Sequence, residues 1–415
     1  MANTYLTRTQ VAGNRQIFTQ SIWFKLTNTA DQVFISSYND ANNYNCFFLE
    51  SGNQVLQVLW KKSGSTAALL NTTRKFRDTS AWYHVVLAVD TTQGTAANRI
   101  KLYVNGVQET SFSTATYPNQ NESIEVNDNN TNQRIGALNT DTFFQGVASY
   151  VAQIDGTQEL PGIFGETDST TGEWKIKTTI TPSVAWGNNG FLILKNGNSL
   201  TDESSNSNNF TLAGGTLTNT KDCPDNVFAT FNPLDTFYTT PTFTNGNTTL
   251  ELNPSGSKDT YVPTTLGMTS GKYYTEAKFI SGVAYTYIGI TDKPATASKI
   301  LGDFTNSVRL RGDDGTTRIN NVASTTLTSF TTNDIIGIAV DLTNLKIYYS
   351  KNGVWMNSAN PSSGTGGLTI TAPDGAYFFA WQCNSGSSVC KYSWNFGNGT
   401  FGTTAVSSAG TNASN

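Results

Sequence analysis

The stretch DIIGIAVDLTNLKIYYSKNGVW, residues 334–355, decides the fold class of this chain. Residues 335–340 form a dense apolar run with the length of a buried strand, and residues 341–344 are turn formers. Residues 346–350 have a second strand-like pattern, and the Asn352-Gly353 pair that follows is a strong β-hairpin signal. The stretch therefore predicts antiparallel strands joined by tight turns, as in one arm of a β-sandwich.

A similar pattern occurs in the other half of the chain, in WYHVVLAVDTTQGTAANRIKLYVNG at residues 82–106. It has the same order: an apolar run that ends at Asp90, a polar turn, an alternating strand and an Asn105-Gly106 pair. Because each half carries one such core, we predict an all-β fold with two tandem antiparallel β-sandwiches.

The composition favours the same fold class. Only 13% of the 415 residues are charged, whereas 12% are aromatic and 36 are glycine. Much of the remainder is Thr, Ser and Asn, which suit exposed strands and tight turns. The aromatic content is enough to fill two sandwich cores and exceeds what a disordered chain carries.

Charge and hydropathy exclude several partners. The net charge is -4 and no large Lys/Arg cluster occurs, so we expect no nucleic-acid binding. No run of 18 apolar residues is present, so we expect no membrane insertion. The opening MANTYLTRTQ lacks the apolar core of a secretory signal, which predicts synthesis in a cytoplasm and release by another route.

The turn-rich segment CPDNVFATFNPLDT at residues 223–236 has the character of a connection between domains. We therefore predict a first sandwich at residues 1–222, a connector at 223–240 and a second sandwich at 241–400. The last segment, 401–415, is mostly Gly, Thr, Ser and Ala and predicts a weakly specified polar tail.

The four cysteines do not form a metal or disulfide framework by spacing. None occurs as CxxC, so the simplest interpretation is four buried thiols, although Cys383 and Cys390 could pair across a short hairpin. The single histidine, His84, lies within an apolar run and is predicted to pack in the core.

The first half resembles the laminin-G-like, concanavalin A-like lectin/glucanase jelly roll. The motifs that carry this resemblance are SIWF (21–24), WYHVV (82–86) and LYVNG (102–106). A closer likeness is to a branch found in tailed phages of marine bacteria, and it covers roughly residues 1–236. The motifs of that branch are YLTRT (5–9), GNR (13–15), FGETD (164–168), NNFT (208–211) and PDNVFATFNPLD (224–235).

The second half resembles a SPRY domain, which is also a bent β-sandwich. The motifs are GKYYTE (271–276), YIGI (287–290), IGIAVD (336–341), YYSKNG (348–353) and NFG (395–397). SPRY domains are binding modules, so this resemblance implies recognition. Together the two halves look like a phage virion protein, in which a concanavalin A-like jelly roll precedes a SPRY-like sandwich.

Catalysis by a glucanase of the concanavalin A-like class needs two acids at alternating strand positions, facing one cleft. Glu122 and Glu125 are three residues apart, which would point them to opposite faces of a strand. With one histidine and no Ser/His/Asp context, a hydrolytic triad is not expected. We therefore predict that the protein is not an enzyme.

Calcium is the one cofactor that the laminin-G resemblance implies, and otherwise no cofactor is predicted. Asp128 and Asp202 lie in polar segments that could supply oxygen ligands at the rim of the sandwich. Ordinary turn chemistry explains the same residues, and this alternative stays open.

Glycan recognition would use exposed aromatics beside Asn or Asp, which stack on a sugar face and bond its hydroxyls. The loop candidates in the first half are Tyr38, Asn42, Asn43, Tyr44 and Tyr117. In the second half, Tyr285 and Trp355 are candidates for a glycan or peptide groove. Core packing is the competing role for these aromatics.

Our leading hypothesis from the sequence is a non-enzymatic structural protein of a tailed-phage particle, in a tail fibre, a spike or a capsid decoration. Its partners would be other virion proteins and host-surface polysaccharide, and it would act as a homo-oligomer or in many copies. Assembly would take place in the host cytoplasm. The alternatives are a dedicated receptor-binding lectin at a fibre tip and, less favoured, a concanavalin A-like glycan hydrolase.

Overall fold

The computed structural model describes residues 3–253, 256–282, 285–294, 300–386 and 389–406. Its contacts divide the chain into two compact units. The first extends to Asn219 and includes Cys223–Val227, and the second contains Thr220–Asp222 and continues from Phe228. Within the described residues, the regular structure is strand, apart from three short 3-10 helices at Ala96–Asn98, Pro161–Ile163 and Met356–Ser358. The predicted all-β class is confirmed.

The strands of the first unit alternate with short turns along the whole of its length. They are β1 (Tyr5–Thr9), β2 (Ile17–Leu26), β3 (Gln32–Asp40), β4 (Asn43–Glu50), β5 (Val55–Lys62), β6 (Ser65–Thr72), β7 (Trp82–Asp90), β8 (Ile100–Val104), β9 (Val107–Gln108), β10 (Phe112–Thr116), β11 (Asn132–Ile135), β12 (Gly146–Asp155), β13 (Gly165–Thr167), β14 (Trp174–Ile176), β15 (Phe191–Ile193) and β16 (Thr211–Gly214).

These strands form two main antiparallel sheets that enclose one core. The first has the order β10-β6-β5-β4-β3-β11-β1-β16, and the second has the order β15-β12-β2-β7-β8-β9. Phe34 and Phe47 from the first sheet and Phe24 and Val85 from the second belong to one buried cluster. Burial of this apolar area is the main stabilising contribution, at about 25 cal/mol per Å².

The other face of the second sheet is also covered. Val86 and Ile154 on this face pack with Phe164 and Ile180, which come from the segment between β12 and β15. That segment contains the β13–β14 hairpin, which places Trp174 against the sheet. Residues of this sheet are therefore buried on both sides, which explains why β7 reads as a nearly continuous apolar run.

A buried polar cluster ties the N-terminal strand to the end of β12. The Asp155 carboxylate accepts hydrogen bonds from the backbone N–H of Asn14 at 2.8 Å and of Asn189 at 3.0 Å. Arg8 donates to the Asn189 carbonyl at 2.9 Å. A Cβ at Gly13 would lie 2.2 Å from an Asp155 oxygen, so this position needs glycine. The GNR motif is thus explained by packing and hydrogen bonding.

The second unit is built in the same manner. Its strands are β17 (Thr242–Thr244), β18 (Thr249–Leu252), β19 (Gly256–Pro263), β20 (Lys272–Ser281), β21 (Thr286–Thr291), β22 (Ser307–Arg311), β23 (Thr317–Ile319), β24 (Val322–Ala323), β25 (Ile335–Asp341), β26 (Lys346–Lys351), β27 (Val354–Trp355), β28 (Leu368–Thr369), β29 (Phe378–Gly386), β30 (Cys390–Asn395), β31 (Thr400–Phe401) and β32 (Thr404–Ala405).

Two antiparallel sheets again enclose a core. One has the order β17-β18-β30-β20-β25-β26-β27, with β28 also paired to β26, and the other has the order β19-β29-β21-β22-β23-β24. Ile338 and Trp394 of the first and Ile288 and Trp381 of the second share one buried cluster. The predicted tandem antiparallel β-sandwiches are therefore confirmed.

The stretch at residues 334–355 folds as predicted, with β25, β26 and β27 in sequence. Asn352 and Gly353 have φ angles of 49° and 81°, and the upstream pair Asn105 and Gly106 has 47° and 79°. Positive φ at both positions is the requirement of the tight hairpin turn that Asn-Gly favours.

The segment predicted as a polar tail, 401–415, overlaps a small pair of strands. Residues 400–405 contain the small β31–β32 hairpin, and residues 407–415 lie outside the described residues.

The interpretation of four free thiols is wrong for the second unit. Cys383 and Cys390 are joined by a disulfide, with their Cα atoms 6.7 Å apart. They lie on β29 and β30, which belong to different sheets, so the bond crosses the sandwich and does not bridge a hairpin. Cys46 is buried and Cys223 is half-buried, and both are free.

Candidate functional site

A pair of tyrosines marks the outer face of the first unit's larger sheet. Tyr38 on β3 lies directly opposite Tyr44 on β4, so both side chains project from the same face. Ile35 and Phe47, an odd number of positions away, point into the core. The two tyrosine rings are stacked, with centroids 6.1 Å apart and planes 25° apart. Both residues are half-buried, so part of each remains in solvent.

Arg134 lies beside this pair on the neighbouring strand, β11. Its partner across the sheet is Ser36, and its guanidinium carbon is 5.4 Å from the centroid of the Tyr38 ring. The residue is only 8% exposed, and burial lowers its pKa, while the nearby hydroxyls of Tyr5 and Tyr38 act to raise it. A buried cation against the ring face restrains the orientation of Tyr38.

The β3–β4 turn adds amide groups at one end of the pair. Asp40 accepts hydrogen bonds from the Asn42 backbone N–H at 2.7 Å and from the Asn43 side chain at 3.0 Å, and these bonds lower the pKa of Asp40. The Asn43 oxygen accepts from the Ser63 backbone N–H at 2.9 Å. Asn43 is thus a structural link between two turns, whereas the Asn42 side chain is exposed.

We call Tyr38, Asn42, Tyr44 and Arg134 the tyrosine patch. Tyr38 and Tyr44 were expected in loops, and the structure places them on paired strands instead. Arg134 was missed by the sequence reasoning, because the pairing of β11 with β3 joins segments that are distant in the chain and leaves no local signal. The patch offers stacking surface and amide hydrogen bonds, which are the means of sugar recognition.

The other aromatic candidates lie elsewhere. Tyr117 packs against the core of the first unit. Trp355, in the second unit, has its ring 6.2 Å from that of Tyr274 and is half-buried. Tyr285, also in the second unit, is 50% exposed and has Arg311 stacked 4.3 Å from its ring centroid.

The acidic candidates Glu122, Glu125 and Asp128 have basic partners. Glu122 and Glu125 lie in the loop before β11 and not on a strand. Lys62 pairs with Glu122, and Arg15 lies 3.7 Å from Glu125 and 3.0 Å from Asp128. Burial raises the pKa of Glu125, and Arg15 opposes that shift. Their arrangement is that of a salt-bridged loop.

Asp128 and Asp202 each have partners of their own. Asp202 accepts hydrogen bonds from the backbone N–H groups of Leu192, Ser204 and Asn208 at 2.7–2.8 Å, which organises its own loop. Within the described ranges, no group of three or more His, Cys, Asp or Glu side chains is placed to hold a metal ion. The calcium site stays a prediction for these two residues.

His84 is fully buried on β7, as expected, but it carries two specific hydrogen bonds. Its Nε2 is 2.9 Å from Ser21 Oγ, and its Nδ1 accepts from Trp174 Nε1 at 3.0 Å. The Trp23 ring stacks on it at 4.4 Å. Burial lowers the pKa of His84 to about 3. The Ser21–His84 pair therefore lacks solvent access.

Comparison with known proteins agrees with a lectin-type first sandwich. Residues 2–156 match the family model described as the Concanavalin A-like lectin/glucanases superfamily, which is less than half of the chain. No curated protein matches the chain. Within the described residues, no helix is long and apolar enough to cross a membrane.

Several solved structures are similar to parts of this chain. The SPRY domain of human HERC1 is 20% identical with a TM-score of 0.33, over 40% of this chain and 96% of that chain. A human SPRY domain is 20% identical with a TM-score of 0.30, over 37% and 94%. Domain 4 of AbnA, a GH43 extracellular arabinanase from Geobacillus stearothermophilus in complex with arabinotriose, is 18% identical with a TM-score of 0.28, over 36% and 64%. With TM-scores of 0.33 or below, these likenesses to parts of the chain support no conclusion about its fold or function.

Proposed function

We propose that this protein is a non-enzymatic adhesion protein whose first sandwich binds a glycan on the tyrosine patch. The observation that carries the proposal is the stacked, half-buried Tyr38–Tyr44 pair on the outer sheet face, with the exposed Asn42 amide at its end. Aromatic rings bury the apolar face of a sugar, and an amide both donates to and accepts from its hydroxyls. The lectin-type family match of residues 2–156 supports this choice.

A catalytic role is disfavoured by the partners of the reactive side chains. Trp174 donates to Nδ1 of His84, so the ring proton sits on Nε2 and Ser21 faces a donor where a nucleophile needs a base. The loop acids Glu122, Glu125 and Asp128 are each paired with Lys62 or Arg15. These contacts support a binding protein over a glycan hydrolase.

We infer a tailed-phage particle as the setting, in a tail fibre, a spike or a capsid decoration. The support is the resemblance of the sequence motifs to virion proteins of tailed phages. The Cys383–Cys390 disulfide agrees with a working place outside a reducing cytoplasm, such as a virion surface. Other virion proteins would then be its partners, with the chain present as a homo-oligomer or in many copies.

The two parts of the proposal have separate tests. For the glycan, the full chain is applied to an array of bacterial lipopolysaccharide O-chains and capsular oligosaccharides, and we expect selective binding to a subset. Uniform absence of binding would contradict adhesion and leave a purely structural role. For the setting, purified particles are analysed by mass spectrometry and labelled with antibody in electron micrographs. Absence of the chain from particles would contradict the virion assignment alone.

A polysaccharide that binds is then incubated with the chain and its length is followed by size-exclusion chromatography. We expect no shortening, and progressive shortening would establish the hydrolase alternative instead.

A further inference from the structure

An open pocket of about 320 Å³ lies in the second unit, at one edge of its sandwich. Its walls include Phe279 on β20, Thr286 at the start of β21, Asp313 in the β22–β23 turn, Ser329 and Phe330 before β25, and Lys351 at the end of β26. Small-molecule sites commonly have volumes of about 300–1,000 Å³, so this pocket has room for one or two sugar residues.

The inner wall of the pocket is apolar and firmly held. The rings of Phe279 and Phe330 meet edge to face, with centroids 5.8 Å apart. Thr286 donates its hydroxyl hydrogen to Tyr392 Oη at 2.9 Å, so that hydroxyl is already satisfied. The Gly312 N–H donates to the Thr286 carbonyl, and the Phe330 N–H donates to the Gly312 carbonyl. These two hydrogen bonds hold the β22–β23 turn against the apolar wall.

The rim of the pocket carries charges that are already neutralised in pairs. Lys351 Nζ is 2.9 Å from Asp334 and donates to the Ser329 carbonyl at 3.0 Å. Arg311 donates to both oxygens of Asp313, at 2.5 and 2.6 Å, and these bonds raise the pKa of Arg311. An anionic or cationic ligand would compete with these pairs, whereas a neutral hydroxyl can bond the remaining lone pairs of Asp313 without breaking them.

Tyr285 does not line the pocket, but it contacts Arg311, which holds the rim residue Asp313. It is 50% exposed, and Arg311, the residue that holds Asp313, lies 4.3 Å from its ring centroid. The stack of Arg311 on one side of the ring leaves the remaining exposed surface of Tyr285 for a ligand. The carboxylate of Asp313 and the ammonium group of Lys351 thus lie at an opening whose inner wall is formed by Phe279 and Phe330.

We propose that this pocket binds a neutral sugar residue, so that the second sandwich carries a glycan site of its own. The apolar face of the sugar would lie against Phe330, and its hydroxyls would meet Asp313 and Lys351. This proposal uses no residue of the tyrosine patch and stands whether or not that patch binds a glycan.

The test is saturation-transfer NMR on the full chain with the methyl glycosides of glucose, galactose, mannose and N-acetylglucosamine, and with methyl glucuronide as the charged counterpart. Ser329→Trp fills the pocket from an exposed position, and Thr328→Trp places the same ring on an exposed neighbour that does not line it. We expect transfer to at least one neutral glycoside, a loss of at least tenfold in Ser329→Trp, and an unchanged signal in Thr328→Trp. Asp313→Asn, also exposed, should weaken binding severalfold.

The Tyr38→Ala/Tyr44→Ala variant is measured alongside, so that a signal from the tyrosine patch is recognised separately. The proposal is overturned if no neutral glycoside shows transfer in the wild-type chain. It is also overturned if Ser329→Trp and Asp313→Asn, each with an unchanged unfolding midpoint, bind as the wild type does, or if the glucuronide is preferred.

Discussion

Trp174 donates a hydrogen bond from its indole nitrogen to Nδ1 of His84, at 3.0 Å. An indole nitrogen is a donor only, so Nδ1 must be the unprotonated nitrogen of a neutral ring. Nε2 then carries the proton and donates to Ser21 Oγ, 2.9 Å away. One contact therefore fixes the tautomer of the single histidine in the chain and removes its capacity to activate Ser21.

This tautomer is directly measurable, because a chain with one histidine gives one set of ring resonances. With nitrogen-15-labelled histidine, we expect the pattern of the Nε2–H tautomer and no titration between pH 5 and 8, since burial lowers the pKa to about 3. A ring that titrates near its ordinary value, or that is protonated at Nδ1, would show that the Trp174 contact is not formed.

The lowered pKa of His84 also makes the stability of the folded state depend on pH under acidic conditions. The unfolded ring binds a proton near pH 6.5 and the folded ring only near pH 3, so the unfolded state holds more protons between these values. The contribution of His84 to stability is therefore complete above pH 6.5 and is lost as the pH falls towards 3. Urea unfolding of wild type and His84→Gln at several pH values measures it. The gap between them should narrow with falling pH, and a constant gap would contradict the linkage.

The Cys383–Cys390 disulfide determines how many cysteine thiols can react with a thiol reagent. In denaturant without reductant, two thiols should react, those of Cys46 and Cys223, and four should react after reduction. In the native protein both should react slowly, because Cys46 is buried and burial raises the pKa of Cys223 to about 12. Reduction should lower the free energy of unfolding by about 2 kcal/mol. Four reactive thiols in unreduced, unfolded protein would contradict the bond.

The effect of calcium on thermal stability distinguishes metal binding by Asp128 and Asp202 from a purely structural role in their turns. Both carboxylates have protein partners, Arg15 for Asp128 and three backbone N–H groups for Asp202. We therefore expect the same thermal unfolding midpoint in EDTA and in excess calcium. A midpoint that rises with calcium concentration would reveal a bound ion, because ligands stabilise the state that binds them.

The sequence predicts local features of this fold well. The strands and turns at residues 334–355 follow from apolar runs and an Asn-Gly pair, because such turns are determined by a few adjacent residues. The role of β7 at the centre of the first sandwich follows equally from its apolar run. These are the signals that an isolated sequence carries most clearly.

Long-range pairing is what the sequence could not provide. Arg134 meets Tyr38 only because β11 pairs with β3, and Trp174 meets His84 only because the β13–β14 hairpin folds onto the second sheet. Cys383 and Cys390 were expected as buried thiols, with pairing across a short hairpin as the alternative. They form a disulfide instead, between successive strands that enter different sheets. Tyr38, Asn42 and Tyr44 of the tyrosine patch were accordingly predicted as candidates, whereas Arg134 and the geometry of the patch were not.

If the first sandwich binds a glycan as proposed, the rings of Tyr38 and Tyr44 provide the stacking surface. Replacing both with Ala removes the stacking surface, and we expect affinity to fall at least tenfold, which is about 1.4 kcal/mol. Tyr274→Ala is the matched control, since Tyr274 is a 51% exposed tyrosine on the other unit and lies outside both proposed sites.

The most direct measurement is titration calorimetry of the wild type, Tyr38→Ala/Tyr44→Ala and Tyr274→Ala with the best glycan from the array. Unchanged unfolding midpoints show that all three chains are folded. We expect the double variant to lose binding while Tyr274→Ala retains it. Equal affinity of the double variant and the wild type would show that Tyr38 and Tyr44 do not form the glycan site.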